Sequence, residues 1–292
     1  MDAFIEYLKN TKNKAENTLV AYRRDLKAFE SFLQERGGKT LMDCKESDAV
    51  AYILELNNES KSKATINRKI SSLRAFYDYK IDEGELERNP FQKIKSAKND
   101  KRQIEYLTID EVNAMLDVPD DSLKGIRDRA LLEFMYGTGA RVTEVVRLRF
   151  SDINLKMNFV TLKDNDGESR IVPVGSYAHD ATVRYMNEAY NAIKGEERTD
   201  DDYIFINFRG QPLTRQGIWK ILKEYGKEVG IEEKMTPQIL RNSFAVHILQ
   251  NGGDLKTLQE LMGFEDMSVG IAYLAVLNVR VRDVYNRTHP RA

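Results

Sequence analysis

One cysteine, one tryptophan, six prolines and three histidines are all that 292 residues contain of those types. Cys44 has no internal partner for a disulfide, so a reducing, cytoplasmic setting is expected. No cluster of Cys and His has the spacing of a structural zinc site, and no metal is expected. No apolar run approaches the roughly eighteen residues that a membrane span needs. The opening MDAFIEYLKNTKNK lacks the apolar core of a signal peptide. Internal repeats and low-complexity tracts are missing as well. So is an excess of positive charge: 45 Lys and Arg face 46 Asp and Glu, for a net charge of −1. A nucleic-acid binder is usually more basic, so any case for DNA rests on where the charges sit.

Apolar residues make up 41% of the chain, enough for a core in each of two domains. Phe4, Tyr7 and Leu8 begin a first helix. A longer one is expected over 17–33, with Asn17 as N-cap and Leu19, Tyr22, Leu26, Phe29 and Leu33 as its buried stripe. Gly37 and Gly38 end it. A third helix fits 46–57, with Lys45 or Ser47 near its start. The fourth, 62 to about 82, carries Ile66, Ile70, Leu73 and Tyr77 on one face. Lys61 and Arg68 lie opposite, and Lys63, Lys69 and Arg74 flank the stripe. Between Lys61 and Tyr77 there are five basic residues and no acid. Such a face suits a phosphate backbone, although a basic helix face is more often merely solvated. Asn89-Pro90 closes this region, because proline disfavours helix in the residue before it. A basic linker follows, with Lys93, Lys95, Lys98, Lys101 and Arg102.

Thr108 and Glu111 have capping-box spacing, so a helix starts there. The apolar density of 128–136 predicts a buried helix, broken by Gly137-Thr138-Gly139. Two strands, 158–163 and 169–174, flank the turn-forming Asp164-Asn165-Asp166-Gly167. A helix is expected over about 178–194, a short strand over 203–206 and a helix over 215–229. In the stretch TPQILRNSFAVHILQNGGDLKTLQELMGFEDMSVGIAY, helical spacing predicts one helix stopped by Gly252-Gly253, and a second over 255–262 stopped by Gly263. Tyr273 lies ten residues further on. His247 sits two turns into the first of these helices and reads as a satisfied buried histidine.

The run 137–152, GTGARVTEVVRLRFSD, fits T-G-x-R-x-x-E-x-x-x-L-x-x-x-D at every named position. Gln238-Ile239-Leu240-Arg241-Asn242, Met262-Gly263-Phe264 and Tyr273 keep the spacing of H-x-L-R-H, L-G-H and a terminal tyrosine. Together these resemble the tyrosine recombinases, most closely the Xer branch. The N-terminal phrases NTLVAYRRDLKAFESFL and ATINRKISSLRAFYDYKIDEGELERNPF resemble that family's DNA-binding domain. The resemblance implies a mainly α protein: an N-terminal four-helix, SAM-like core-binding bundle (1–96), a basic linker (97–107), and a helical α+β catalytic domain with a small antiparallel sheet (108–292).

The family's reaction is attack of the tyrosine phenol on a DNA phosphorus, giving a 3′-phosphotyrosine and a free 5′ hydroxyl, without metal or cofactor. Carried over by position, Arg141 and Arg241 hold the phosphate, Tyr273 is the nucleophile and Glu144 orients Arg141. Lys61, Lys63, Arg68, Lys69, Arg74, Lys98, Lys101 and Arg102 are the implied backbone contacts. Arg215 and Gln216, opening a helix like the one the family places in the major groove, are the implied groove contacts. The implied partners are duplex DNA and further recombinase protomers, held in a tetrameric synapse through the C-terminal tail ending THPRA. Taken singly, an arginine after Gly-Thr-Gly-Ala is usually a surface residue, and a tyrosine ending an amphipathic helix is usually packing.

The departures from the pattern are specific. Gln238 replaces a histidine and is no useful proton acceptor near pH 7. Phe264 replaces a histidine or tryptophan donor. Asn165 stands at the gapless position of the general-acid lysine in G-K-G-N-K-x-R. Lys163 lies two strand residues earlier, about 6.6 Å away on the same face, and is the candidate replacement acid. Three readings follow: an Xer-like site-specific recombinase, a pseudo-recombinase that binds without cutting, and a helical interaction adaptor that does not bind DNA.

Overall fold

The computed structural model describes residues 1–97, 104–164 and 167–276. It divides into two compact units, Met1–Arg102 and Gln103–Ala292. Among the described residues no helix is long and apolar enough to cross a membrane.

The first unit is built on α1 (Asp2–Asn10), α2 (Glu16–Glu35), α3 (Glu46–Asn58) and α4 (Lys63–Asp82). Leu26, Phe29 and Leu33 of α2 meet Leu73 and Tyr77 of α4 in one aromatic-rich core, closed by Phe91. The buried Tyr77 hydroxyl needs a partner and donates to the Leu41 carbonyl at 2.7 Å. One local expectation changes, and one of two alternatives is selected. The N-cap of α2 is Ala15 rather than Asn17, with no side-chain cap, so Asn17 lies inside the first turn. Lys45 caps α3, and Asp48 accepts its backbone N–H at 3.0 Å.

The basic character of α4 is largely turned inward. Asp25, 1% exposed, takes a short hydrogen bond from Arg68, another from Ser72 at 3.1 Å, and an ion pair with Lys69 at 3.4 Å. Arg74 donates to the Ile94 carbonyl at 2.7 Å. Arg68, Lys69 and Arg74 therefore brace the bundle, because a buried carboxylate and the open carbonyls of Phe91 and Ile94 are met by these cations. Lys61 remains half exposed beside Glu59, and Lys63 is exposed at the start of the helix. Lys93 pairs with Glu46 at 2.9 Å. Lys98, Lys101 and Arg102 lie outside the described residues.

The second unit opens with α5 (Ile109–Leu116), whose capping box from Thr108 and Glu111 forms as the sequence predicts. Next come α6 (Leu123–Thr138) and the single turn α7 (Val142–Val145). Helix α6 runs through Gly137 and Thr138 and ends only at Gly139, whose φ of +60° places it in the left-handed region. A three-stranded antiparallel sheet follows in the order β1 (Ile153–Asn154), β2 (Phe159–Lys163), β3 (Ser169–Pro173). In its register Val160 faces Val172, and Leu162 faces Arg170. Strand β1 is only two residues long, too short for an alternation pattern to reveal it.

Helices α8 (Ser176–Arg184) and α9 (Tyr190–Lys194) are joined by a π-helical turn, Tyr185–Ala189. The strand expected over 203–206 does not form. Tyr203 and Ile206 make only isolated bridges, to Arg149 and Pro212, although Ile204 and Phe205 are buried as a strand's would be. Helices α10 (Arg215–Glu228), α11 (Pro237–Gln250) and α12 (Leu255–Met262) complete the order, and 267–276 is helical.

Asp25→Ala is expected to destabilise the first unit by about 3 kcal/mol, because Lys69 would be left buried without its counter-charge. Urea denaturation of the two proteins measures this. Equal midpoints would contradict the assignment.

Candidate active site: a guanidinium cluster and a buried phenol

Arg141 starts from backbone geometry. It is the N-cap of α7, and Glu144 accepts its backbone N–H at 2.6 Å while also accepting its Nη1 at 3.0 Å. The same carboxylate takes two bonds from Arg170 of β3, at 2.6 and 2.9 Å. Glu144, 2% exposed, is thereby held as a carboxylate: burial raises its pKa, but Arg170 and the Arg141 N–H more than offset this and leave it below the usual range.

Arg241 comes from the first turns of α11 and is 5% exposed. Its guanidinium donates to the Gly139 carbonyl, just past α6, and to the Met262 carbonyl at the end of α12. Arg141 reaches the next carbonyl, Gly263, at 2.9 Å, and Arg170 reaches Leu261 at 2.8 Å. Open carbonyls at helix C-termini attract cations. The glycines that expose them are required: a Cβ on Gly139 would lie 2.4 Å from the Phe244 ring, and one on Gly263, at φ +60°, 3.0 Å from Arg170. Burial, with Arg141 nearby as a like charge, pushes the Arg241 pKa down to about 9. Three arginines around one carboxylate leave two positive charges without a partner inside the cluster, the signature of a place for an anion.

Tyr273, on the helical segment 267–276, is 5% exposed and stacks on Phe264 with ring centroids 5.8 Å apart. Its hydroxyl donates to Asn242 Oδ1 at 2.9 Å. Burial raises its pKa, and the nearby Arg241 and Arg141 partly offset that. Arg141, Arg241, Gln238, Phe264 and Tyr273 line one cleft of about 400 Å³. Asp164, Glu168, Glu265 and Asp266 line the same cleft, so carboxylates surround the arginines.

The other predicted residues fall differently. Lys163 is not among the residues lining this cleft; its ammonium pairs with Asp152 at 2.5 Å, a nearby buried carboxylate that the two-residue strand argument left out. Asn165 lies outside the described residues. Gln238 is exposed and donates to Asn242 at 2.8 Å. Arg215 and Gln216 are exposed at the start of α10. His247 is buried, its Nδ1 meets the Tyr136 hydroxyl at 2.8 Å, and its Nε2 has no hydrogen-bond partner among the described residues. Burial holds its pKa down.

Two site residues were missed. Arg170 is the final R of the G-K-G-N-K-x-R pattern, so its position was a signal in plain view. Asn242 stands beside Arg241 in a histidine's place, and only the fold shows that it meets the phenol.

Residues 105–279 match the phage integrase family, and residues 1–84 match the phage integrase N-terminal SAM-like domain. A putative tyrosine recombinase of Caldanaerobacter subterraneus is 40% identical over 99% of this chain and 97% of its own length. The tyrosine recombinase XerD of Listeria innocua is 38% identical over 100% of this chain and 99% of its own. In fold, the chain is similar to the Tn1549 transposon integrase solved with a circular intermediate DNA, at TM-score 0.74 and 21% identity, covering 92% of this chain and 93% of that one. It is likewise similar to a lambda integrase dimer bound to a COC' core site, at TM-score 0.72 and 20% identity over 93% of each. Full-length identity at this level, with both parts of the chain matched in their family order, leaves one conclusion: the chain belongs to the phage integrase family, as a tyrosine recombinase of its Xer branch.

Proposed function

We propose that this protein binds a specific duplex DNA site and cleaves one strand through Tyr273, forming a 3′-phosphotyrosine and releasing a 5′ hydroxyl. Religation to another strand reverses the step. The observation that carries this reading is the single cleft shared by Arg141, Arg241 and Tyr273. A phosphodiester entering it would give the two arginines the anion they lack, through planar guanidinium donors suited to two phosphate oxygens. As the phenol oxygen bonds to phosphorus, the bond to the 5′ oxygen breaks, and negative charge spreads over the non-bridging oxygens that the arginines face. Lys61 and Lys63 on the first unit, and Arg215 and Gln216 on the second, are the proposed contacts to duplex DNA. Assembly with further protomers through the C-terminal tail, and a cytoplasmic setting, belong to the same proposal.

Proton handling is the weak step. The phenol must lose a proton and the leaving oxygen must gain one, yet Gln238 and Phe264 carry none, and Lys163 is held by Asp152. Turnover is therefore slow. That observation also favours a second reading, in which the protein binds its site and leaves cutting to an active partner recombinase.

A duplex nicked near the cleavage position, which traps the cleaved strand, separates the two readings. A covalent adduct is expected with the native protein and none with Tyr273→Phe; tight binding without any adduct would favour the second reading. Arg241→Ala is expected to slow adduct formation by about 10²–10³-fold, the cost of one transition-state donor.

Gln238→His restores a proton carrier at the cleft and is expected to speed single-turnover adduct formation by about 10²-fold near pH 7. An unchanged rate would mean that proton transfer does not limit the reaction.

A further inference from the structure

We infer that Asn242 is a latch on the nucleophile: its amide oxygen holds the Tyr273 hydroxyl as a donor, keeping the phenol protonated and stacked on Phe264 until DNA displaces it. The inference deepens the reading of Tyr273 as nucleophile and rests on it for its functional meaning.

The orientation of the amide is fixed by its surroundings. Asn242 Nδ2 donates to the Glu105 main-chain carbonyl at 2.9 Å. Turning the amide over would set its oxygen against that carbonyl, acceptor against acceptor, so Oδ1 faces the cleft. There it accepts from Gln238 Nε2 at 2.8 Å and from the Tyr273 hydroxyl at 2.9 Å. With its oxygen in that position, the phenol is the donor, and its proton points at a group that accepts hydrogen bonds but not protons. A hydrogen bond that needs the proton favours the neutral phenol. Attack on phosphorus requires the opposite, so the contact has to break before the phenol can ionise.

The charged groups around the phenol are Arg141 at the start of α7 and Arg241 on α11, which favour its ionised form. Asp164, Glu168, Glu265 and Asp266 line the same cleft and oppose it. Asn242, one residue along from Arg241, is the direct partner of the hydroxyl. Gln238, through its bond to the same oxygen, holds the latch in place. The residue is thus a positioning residue, acting on the nucleophile and not on DNA.

The test needs no cleavage. In protein labelled with carbon-13 at the tyrosine Cζ, the resonance lost in Tyr273→Phe identifies residue 273, and its titration is followed by NMR. Asn242→Ala removes the acceptor, so Tyr273 is expected to ionise at lower pH than in the native protein. Asn242→Asp keeps an acceptor and adds a negative charge, so ionisation is expected to move to higher pH. Circular dichroism shows which variants are folded. A folded variant in which Tyr273 titrates as in the native protein, or two variants shifting in the same direction, overturns the latch. Failure of the native protein to form an adduct on nicked DNA would instead count against the proposed function and leave this result standing.

Discussion

The second unit depends on keeping three guanidinium groups close together with one carboxylate between them. Burying a guanidinium is costly and like charges beside it add to the cost: burial first, then Arg141, drive the Arg241 pKa down to about 9. The fold bears it by meeting the cluster with the carbonyl ends of α6 and α12, two partial negative charges that neither helix can satisfy internally. Glu144 supplies the one full negative charge and fixes Arg141 and Arg170 at once. The carboxylates lining the cleft soften the remaining positive charge without bonding to Arg241, which donates to main-chain carbonyls, and this links packing to function: the guanidinium groups gathered here are suited to a phosphate.

Anion recognition and proton transfer have separated in this chain. The guanidinium cluster and the phenol are assembled, while the positions that would move protons hold Gln238 and Phe264. Phe264 does different work, stacking on Tyr273 and helping to bury it. Gln238 joins Asn242 in a hydrogen-bonded amide pair that ends at the phenol. The substituted residues thus form a self-consistent resting state in which the nucleophile is neutral, shielded and tied down. The carboxylates Asp164, Glu168, Glu265 and Asp266 add to this, since DNA must approach past them.

Much of this was legible in the sequence because it rested on short-range rules. The capping box at Thr108, the stop at Gly263 and the β2–β3 pair follow from local spacing and turn chemistry, and all appear. The T-G-x-R-x-x-E run brings Arg141 and Glu144 together within one turn, so sequence distance and spatial distance coincide. Less was legible where a distant partner decides a side chain's surroundings. On a helical wheel Arg68 lies opposite the apolar stripe of α4 and Lys69 at its flank, yet Asp25, more than forty positions away, bonds to both. Lys163 has the reach to replace a general acid, but Asp152 on the preceding turn claims it. The apolar run 203–206 reads as a strand, but among the described residues Tyr203 and Ile206 make only isolated bridges, to Arg149 and Pro212. Asn242 was visible only as a departure in a histidine's place; its contact with the Tyr273 hydroxyl exists only in the folded chain.

The central claim is that both guanidinium groups and the phenol serve one DNA phosphate. A structure of the Tyr273→Phe protein on its nicked duplex site tests it most directly. The account predicts a single backbone phosphate within about 3 Å of both Arg141 and Arg241, with the ring of residue 273 facing its phosphorus. A bound duplex whose phosphates leave that cleft empty, or engage the two arginines separately, would contradict it.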